Sequence, residues 1–183
     1  MKSLRVLRLL PVFTAMLAAT TAVQAADLTL FVGGAKPGKL NRSGITTVLD
    51  SGPIFGARLS TNFVPFFGME HTLAFSSDYL FPRGVASVTE AKGFVYSANL
   101  IINIPVGKTV PYATAGLGLI HQYGSRDLPI GTSFAVNYGG GLKIPKLIGP
   151  LGLRFDARGY TAPRVFSTTL NILEITGGIL IGF

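Results

Sequence analysis

Apolar and other residues alternate with a period of two along most of the chain beyond residue 26. Because successive side chains of a β-strand point to opposite faces, this alternation predicts strands. The sequence contains eight such segments, at 27–33, 54–62, 67–77, 93–104, 111–121, 132–144, 150–161 and 171–183. No period of 3.6 residues is sustained over the same region, so the pattern predicts an all-β domain.

The gaps between the predicted strands alternate in length. The long gaps are 34–53, 78–92, 122–131 and 162–170, and the short gaps are 63–66, 105–110 and 145–149. In an up-and-down antiparallel sheet, every second connection lies at the same end. Short turns at one end and longer loops at the other are typical of transmembrane barrels of the outer-membrane type.

Each predicted strand has one apolar face and one polar face. In the segment 150–161, for example, Leu151, Leu153 and Phe155 alternate with charged residues. Across the strands the polar face carries Arg58, Glu70, Lys143, Arg154, Asp156, Arg158 and Glu174. Isolated charges inside a protein cost several kcal/mol each, so this nearly balanced set predicts a hydrogen-bonded structural network in the barrel interior. A narrow ion path lined by the same side chains is the alternative.

Composition favours lipid as the surroundings of the apolar face. Only 13% of the residues are charged, whereas an average soluble domain has about 25%. Such a chain would leave a soluble surface poorly solvated. Alternation by itself does not say which face lies inside, so a soluble periplasmic, lipocalin-like barrel that binds a small molecule stays open as an alternative.

The N-terminus has the pattern of a secretion signal. Lys2, Arg5 and Arg8 precede an apolar run at 9–19, and small or short residues follow at 23–25. This order of basic, apolar and small residues is typical of a cleavable signal peptide. The apolar run is too short and interrupted for a membrane-spanning helix. We therefore predict a signal peptide at 1–25 and an exported barrel domain at 26–183.

The last ten residues, EITGGILIGF, alternate up to a final aromatic side chain. Ile175, Ile179, Ile181 and Phe183 share one face, with Gly177 interrupting the apolar pattern. The segment resembles the C-terminal assembly signal of bacterial outer-membrane barrels. That resemblance implies recognition by the barrel-insertion machinery, with periplasmic chaperones as further partners during assembly.

Three other stretches strengthen the resemblance: PYATAGLGL at 111–119, GGGLKIP at 139–145 and LGLRFDARGY at 151–160. Together they are similar to strands of the small OmpA/OmpX-type barrel family. The resemblance implies an eight-stranded antiparallel up-and-down transmembrane β-barrel in the outer membrane of a Gram-negative cell. Short turns and both termini would face the periplasm. It implies no single activity, and we expect a role in envelope integrity or in surface interaction through the loops.

Candidate catalytic chemistry is sparse. The chain has two histidines, His71 and His121, and no cysteine. His121, Ser125 and Asp127 form the best available triad by sequence, but their spacing matches no lipase signature. We therefore predict no enzyme, no metal and no cofactor, and a lipid A-modifying enzyme remains the alternative. Nothing in the sequence resembles a nucleic-acid site.

Basic residues in two predicted loops are candidate contacts to lipopolysaccharide phosphates, because ammonium and guanidinium groups form strong hydrogen bonds to phosphate. These residues are Lys36, Lys39, Arg42 and Arg164. Outer-membrane lipid and lipopolysaccharide are thus the predicted surroundings of the barrel.

Aromatic residues cluster near the ends of the predicted strands. The cluster near the short turns comprises Phe63, Phe66, Phe67 and Phe183, and the cluster near the long loops comprises Phe75, Tyr79, Phe81, Phe94 and Tyr123. They predict the two aromatic girdles of a membrane barrel.

Overall fold

The computed structural model describes residues 25–38, 40–42, 45–82, 88–125, 128, 131–165 and 168–183. The predicted signal peptide lies outside the described residues except for Ala25, which begins the first strand. Cleavage of the signal therefore stays a prediction. No described helix is long and apolar enough to cross a membrane.

The described residues form ten strands in chain order. They are β1 (Ala25–Pro37), β2 (Leu40–Arg42), β3 (Ile45–Thr47), β4 (Gly52–Val64), β5 (Phe67–Ser76), β6 (Ala91–Asn103), β7 (Val110–Gly124), β8 (Thr132–Ile148), β9 (Leu151–Val165) and β10 (Thr168–Gly182).

Among the described strands, β1 and β4 to β10 close into one antiparallel barrel, while β2 and β3 form a small hairpin in the first loop. Strand β1 pairs with β4 on one side and with β10 on the other. The closure continues to the end of the chain, because the Ala26 amide donates to the Phe183 carbonyl at 3.0 Å and the Phe183 amide donates back at 2.9 Å. Closure pairs the strand edges, which a structure surrounded by lipid requires.

The short connections β4–β5, β6–β7 and β8–β9 lie at one end of the barrel with Ala26 and Phe183, and this end is called the turn end below. The opposite end, with the other connections, is the loop end. The predicted longer loop at 162–170 is wrong, because β9 continues to Val165 and β10 begins at Thr168. The hairpin is extended there because Ala162 and Leu170 pair with each other and are fully buried.

In the middle and at the turn end of the barrel, the apolar face of the strands is outside and the polar face is inside. Leu100 is 67% exposed and Ile175 is 60% exposed, whereas Arg58 and Glu70 are completely buried. This is the reverse of a soluble lipocalin-like barrel, whose apolar face lines the interior. An apolar exterior around a polar interior is the arrangement of a barrel that spans a membrane.

Candidate functional site

The interior charged residues form one cluster near the middle and turn end of the barrel. We call this the charged cluster; its members are Asp27, Arg58, Glu70, Lys143, Arg154, Asp156, Arg158 and Glu174. Period-two alternation brings them inside, as on β9, where Arg154, Asp156 and Arg158 share one face. Seven of the eight are at most 4% exposed and Asp27 is 8% exposed, so protein partners replace water around them.

Glu70 joins two of the arginines. One of its carboxylate oxygens lies 2.5 Å from Arg158 Nη2, and the other lies 2.6 Å from Arg154 Nη2. Ser60 on the neighbouring strand β4 also donates to Glu70 Oε2 at 2.9 Å. Both oxygens of this buried carboxylate are thus paired, which buried charges require.

Arg58 on β4 pairs with acidic residues on β9 and β10. Its guanidinium lies 2.5 Å from Glu174 Oε1 and 3.1 Å from Asp156 Oδ2, and it donates to Thr176 at 3.1 Å. The same guanidinium stacks 3.7 Å from the centre of the Phe31 ring. Cation–π contact of this kind adds to the ion pairs where water is excluded.

Asp156 lies at the centre of the cluster. Besides Arg58, it contacts Arg154 at 3.1 Å and Arg158 at 3.0 Å. The Tyr112 hydroxyl donates to the same carboxylate, and Arg154 stacks over the Tyr112 ring at 4.6 Å. Three arginines therefore converge on one carboxylate, which joins β9 to Arg58 of β4 and to Tyr112 of β7.

Sequence reasoning missed Asp27. Its carboxylate lies 2.7 Å from Lys143 Nζ and 3.9 Å from Arg154 Nη1 near the turn end. With Asp27 included, the described members of the charged cluster are four basic and four acidic residues, so the cluster is neutral. The sequence contains two indications of this role. Asp27 alternates with the apolar Leu28 and Leu30, and the predicted interior charges have one acidic residue fewer than basic residues.

Uncharged polar side chains from β6, β7 and β8 line the interior beside the charges, and Asn99 is paired in register with Glu70. Asn99 donates to Asn137 Oδ1 at 2.5 Å and to Thr114 Oγ1 at 3.0 Å. Thr72 accepts from Arg158 at 3.5 Å, so one uncharged hydroxyl also takes part in the charged cluster.

The loop end of the interior is apolar, which the sequence analysis did not anticipate. We call this group the apolar cap; it comprises Ala35, Leu49, Ile54, Ala74, Tyr79, Leu80, Val95, Ile120, Ala135, Tyr160, Ala162, Leu170 and Ile172. On β4, Ile54 lies nearer the loops than Arg58, and on β10, Ile172 lies nearer the loops than Glu174. The cap therefore closes the same lumen above the charges.

The predicted girdle position of Tyr79 is wrong. Tyr79 and Leu80 come from the β5–β6 loop, fold into the barrel mouth and are 2% and 0% exposed. A Cβ atom at Gly93 would lie 2.3 Å from the Tyr79 ring, so the missing side chain at Gly93 makes room for the phenol. Gln122 donates to the Tyr79 carbonyl at 2.7 Å, and burial raises the pKa of the Tyr79 hydroxyl well above its ordinary value.

Of the other predicted girdle residues, Phe66, Phe67 and Phe183 are exposed at the turn end, while Phe75 and Tyr123 are exposed near the loops. Phe63, Phe81 and Phe94 are half-buried.

Among the described contacts, each histidine pairs with a hydroxyl other than that of Ser125. His71 contacts the Tyr96 hydroxyl at 3.0 Å on the outer wall. His121 contacts Thr132 Oγ1 at 2.7 Å, while Ser125 Oγ accepts from the amides of Thr89 and Glu90. Asp127 lies outside the described residues. The described part of the chain also contains no group of three residues that could hold a metal ion.

The predicted lipopolysaccharide contacts are only partly visible. Lys36 is exposed at the loop end of β1. Lys39 lies outside the described residues, and the side chains of Arg42 and Arg164 are not described. Of the predicted assembly signal, Ile175, Ile179 and Phe183 are exposed and Ile181 is half-buried.

Known structures share this architecture. Neisserial surface protein A is 17% identical, with a TM-score of 0.66 over 87% of this chain and 99% of that one. The N-terminal β-barrel domain of OprF from Pseudomonas aeruginosa is 14% identical, with a TM-score of 0.55 over 88% and 98%. No family model and no curated protein matches the sequence. The chain therefore has the fold of the small outer-membrane β-barrels, as predicted.

Proposed function

We propose that this protein is an exported outer-membrane barrel whose role is structural or interactive, with a sealed lumen and with loops displayed at the cell surface. The observation that carries the proposal is the filling of the lumen within an apolar-coated barrel. The charged cluster occupies the turn half and the apolar cap occupies the loop half. A barrel of this size has room for little besides its own side chains.

The neutrality and pairing of the charged cluster support a structural plug. Each carboxylate of the cluster lies within 4 Å of at least one cation. Ion pairs of this kind hold the strands that carry them in one arrangement, because separating two partners leaves a buried charge uncompensated. The alternative of an ion path is less well supported, since the apolar cap lies across the same route.

A lipid-modifying enzyme is also less well supported. His121 contacts Thr132, and Ser125 accepts from the amides of Thr89 and Glu90, so the described geometry gives no support to Ser125 as a nucleophile activated by His121. The predicted contacts with the insertion machinery, periplasmic chaperones and lipopolysaccharide remain part of the proposal.

The test compares the protein in the outer-membrane fraction on gels with and without heating. A closed barrel resists detergent when cold and changes its mobility after boiling, so we expect a shift. Recovery in the soluble periplasm without a shift would contradict the proposed location. A measurable lipid change that is lost in a His121→Ala variant would instead support the enzyme.

A further inference from the structure

The outer wall of the barrel carries a groove across β1, β10, β9 and β8, with a volume of about 580 Å³. Strand pairing sets Lys36 beside Leu173, Leu173 beside Gly159, and Gly159 beside Tyr138. Ala157 and Gly159 form a low floor, while Leu173 and Tyr138 rise beside it and are 47% and 55% exposed. This volume is within the range of small-ligand sites, roughly 300–1,000 Å³.

The two ends of this groove differ in polarity. Its loop end carries the exposed Lys36 and Asn171, and Thr161 donates to Asn171 Oδ1 at 2.9 Å, so the amide nitrogen remains a donor. The part nearer the middle of the barrel is lined by Ala157, Leu173 and the Tyr138 ring.

A second, apolar groove of about 450 Å³ continues the same wall toward the turn end. The first groove reaches Ala157, which pairs with Ile175. The second groove begins at the next pair toward the turn end on the same face, Phe155 on β9 and Gly177 on β10. Its lining includes Leu30, Val32, Leu153 and Ile179.

We propose that these two grooves together bind one phosphorylated lipid of the outer leaflet, with its phosphate at Lys36 and an acyl chain over Ala157 toward Gly177. This inference rests on the proposed membrane location. Charge supports it, because neither groove has a carboxylate among its described lining residues. Depth supports it as well, because the cation lies at the loop end, where the headgroups of the outer leaflet would lie.

The experiment is native mass spectrometry of the full barrel in detergent, incubated with lipid A or with lipid A from which the phosphates have been removed. We expect one lipid per barrel and a preference of about fivefold for the phosphorylated form, since one lysine at a membrane surface contributes about 1 kcal/mol. Lys36→Gln should abolish that preference. Lys92→Gln, at the loop end of β6 and outside the groove, should preserve it.

A second pair of variants tests the acyl-chain path. Ala157→Leu fills the floor and should lower lipid retention about fivefold. Ala113→Leu adds the same side chain to another exposed outer-wall position, on β7, and should leave retention unchanged. Equal retention of both lipids by the wild type, or equal effects of the two leucine variants, would overturn the inference. Cold gel mobility reports separately whether each barrel is folded, so failure of lipid binding is distinguishable from failure of the proposed barrel.

Discussion

The turn half and the loop half of the lumen are filled by different kinds of side chain. In the turn half, Glu70 and Asp156 connect three arginines through ion pairs of 2.5–3.1 Å. In the loop half, Ile54, Ile120 and Leu170 pack with Tyr79 and Leu80. The same barrel wall therefore encloses two kinds of filling. The stability of the charged cluster depends on specific charged partners, and the stability of the apolar cap depends on how completely its side chains fill the space.

The two halves of the lumen differ in which parts of the chain supply their interior side chains. In the proposed membrane location, lipid surrounds the middle of the barrel, where strands supply the interior and long charged side chains reach across it. At the loop end, residues of the β5–β6 loop enter the mouth, with Leu80 held at φ 55°. Loop backbone there is satisfied by bonds such as Tyr79 N to Ala91 O at 2.6 Å, so apolar side chains can fill the remaining space.

The largest effect is expected in the charged half. Glu70→Gln keeps the shape but removes the more buried of the two carboxylate charges that Arg154 and Arg158 share, leaving them only Asp156. We expect the free energy of unfolding to fall by about 3–5 kcal/mol, measured by denaturant titration of the barrel in vesicles. Glu90→Gln is the control, because the Glu90–Lys92 pair is about half exposed, and such pairs contribute about 0–1 kcal/mol. Similar losses for both variants would show that burial does not distinguish the two pairs.

The apolar half should respond to lost volume instead of lost charge. Leu80→Ala opens a cavity beneath the loop, and we expect a loss of about 2–4 kcal/mol in the same titration. Leu100→Ala, on the lipid-facing wall and 67% exposed, should cost less because lipid fills the space. A larger loss at Leu100 would mean that the cap is not packed as a core.

A smaller effect is expected at the position that makes room for the cap. Gly93→Ala crowds the Tyr79 ring and should cost about 1–3 kcal/mol. In the double variant with Tyr79→Ala, the cost of the added methyl group should largely disappear, giving a coupling of about 1 kcal/mol or more. Simple additivity of the two unfolding energies would contradict the contact.

The smallest expected effect is on ion flow. Tyr79→Ala opens only the loop half, and the charged cluster still fills the turn half. Conductance in planar bilayers should therefore equal that of the wild type, which we expect to be closed. A steady current through the Tyr79→Ala variant would show that the apolar cap alone seals the lumen. The charged cluster would then be unable to block ion flow by itself.

Individual residues show why the sequence analysis reached some positions and not others. Arg154, Asp156 and Arg158 were assigned to one face from their spacing alone. Asp27 was not, although it alternates with Leu28 and Leu30; its pairing with Lys143, 116 positions away, arises only when the barrel closes. Tyr79 was assigned to a girdle because its entry into the mouth depends on Gly93 of another strand.

The sequence by itself determined the strands and the two faces of each strand, because alternation with a period of two is a local property of the backbone. It also determined most of the residues that carry charge into the interior. Only the tertiary structure decided the partners of those charges, the extended β9–β10 hairpin and the apolar cap. These depend on the register around the closed barrel and on loop residues that meet distant strands, and neither is encoded by spacing along a single segment.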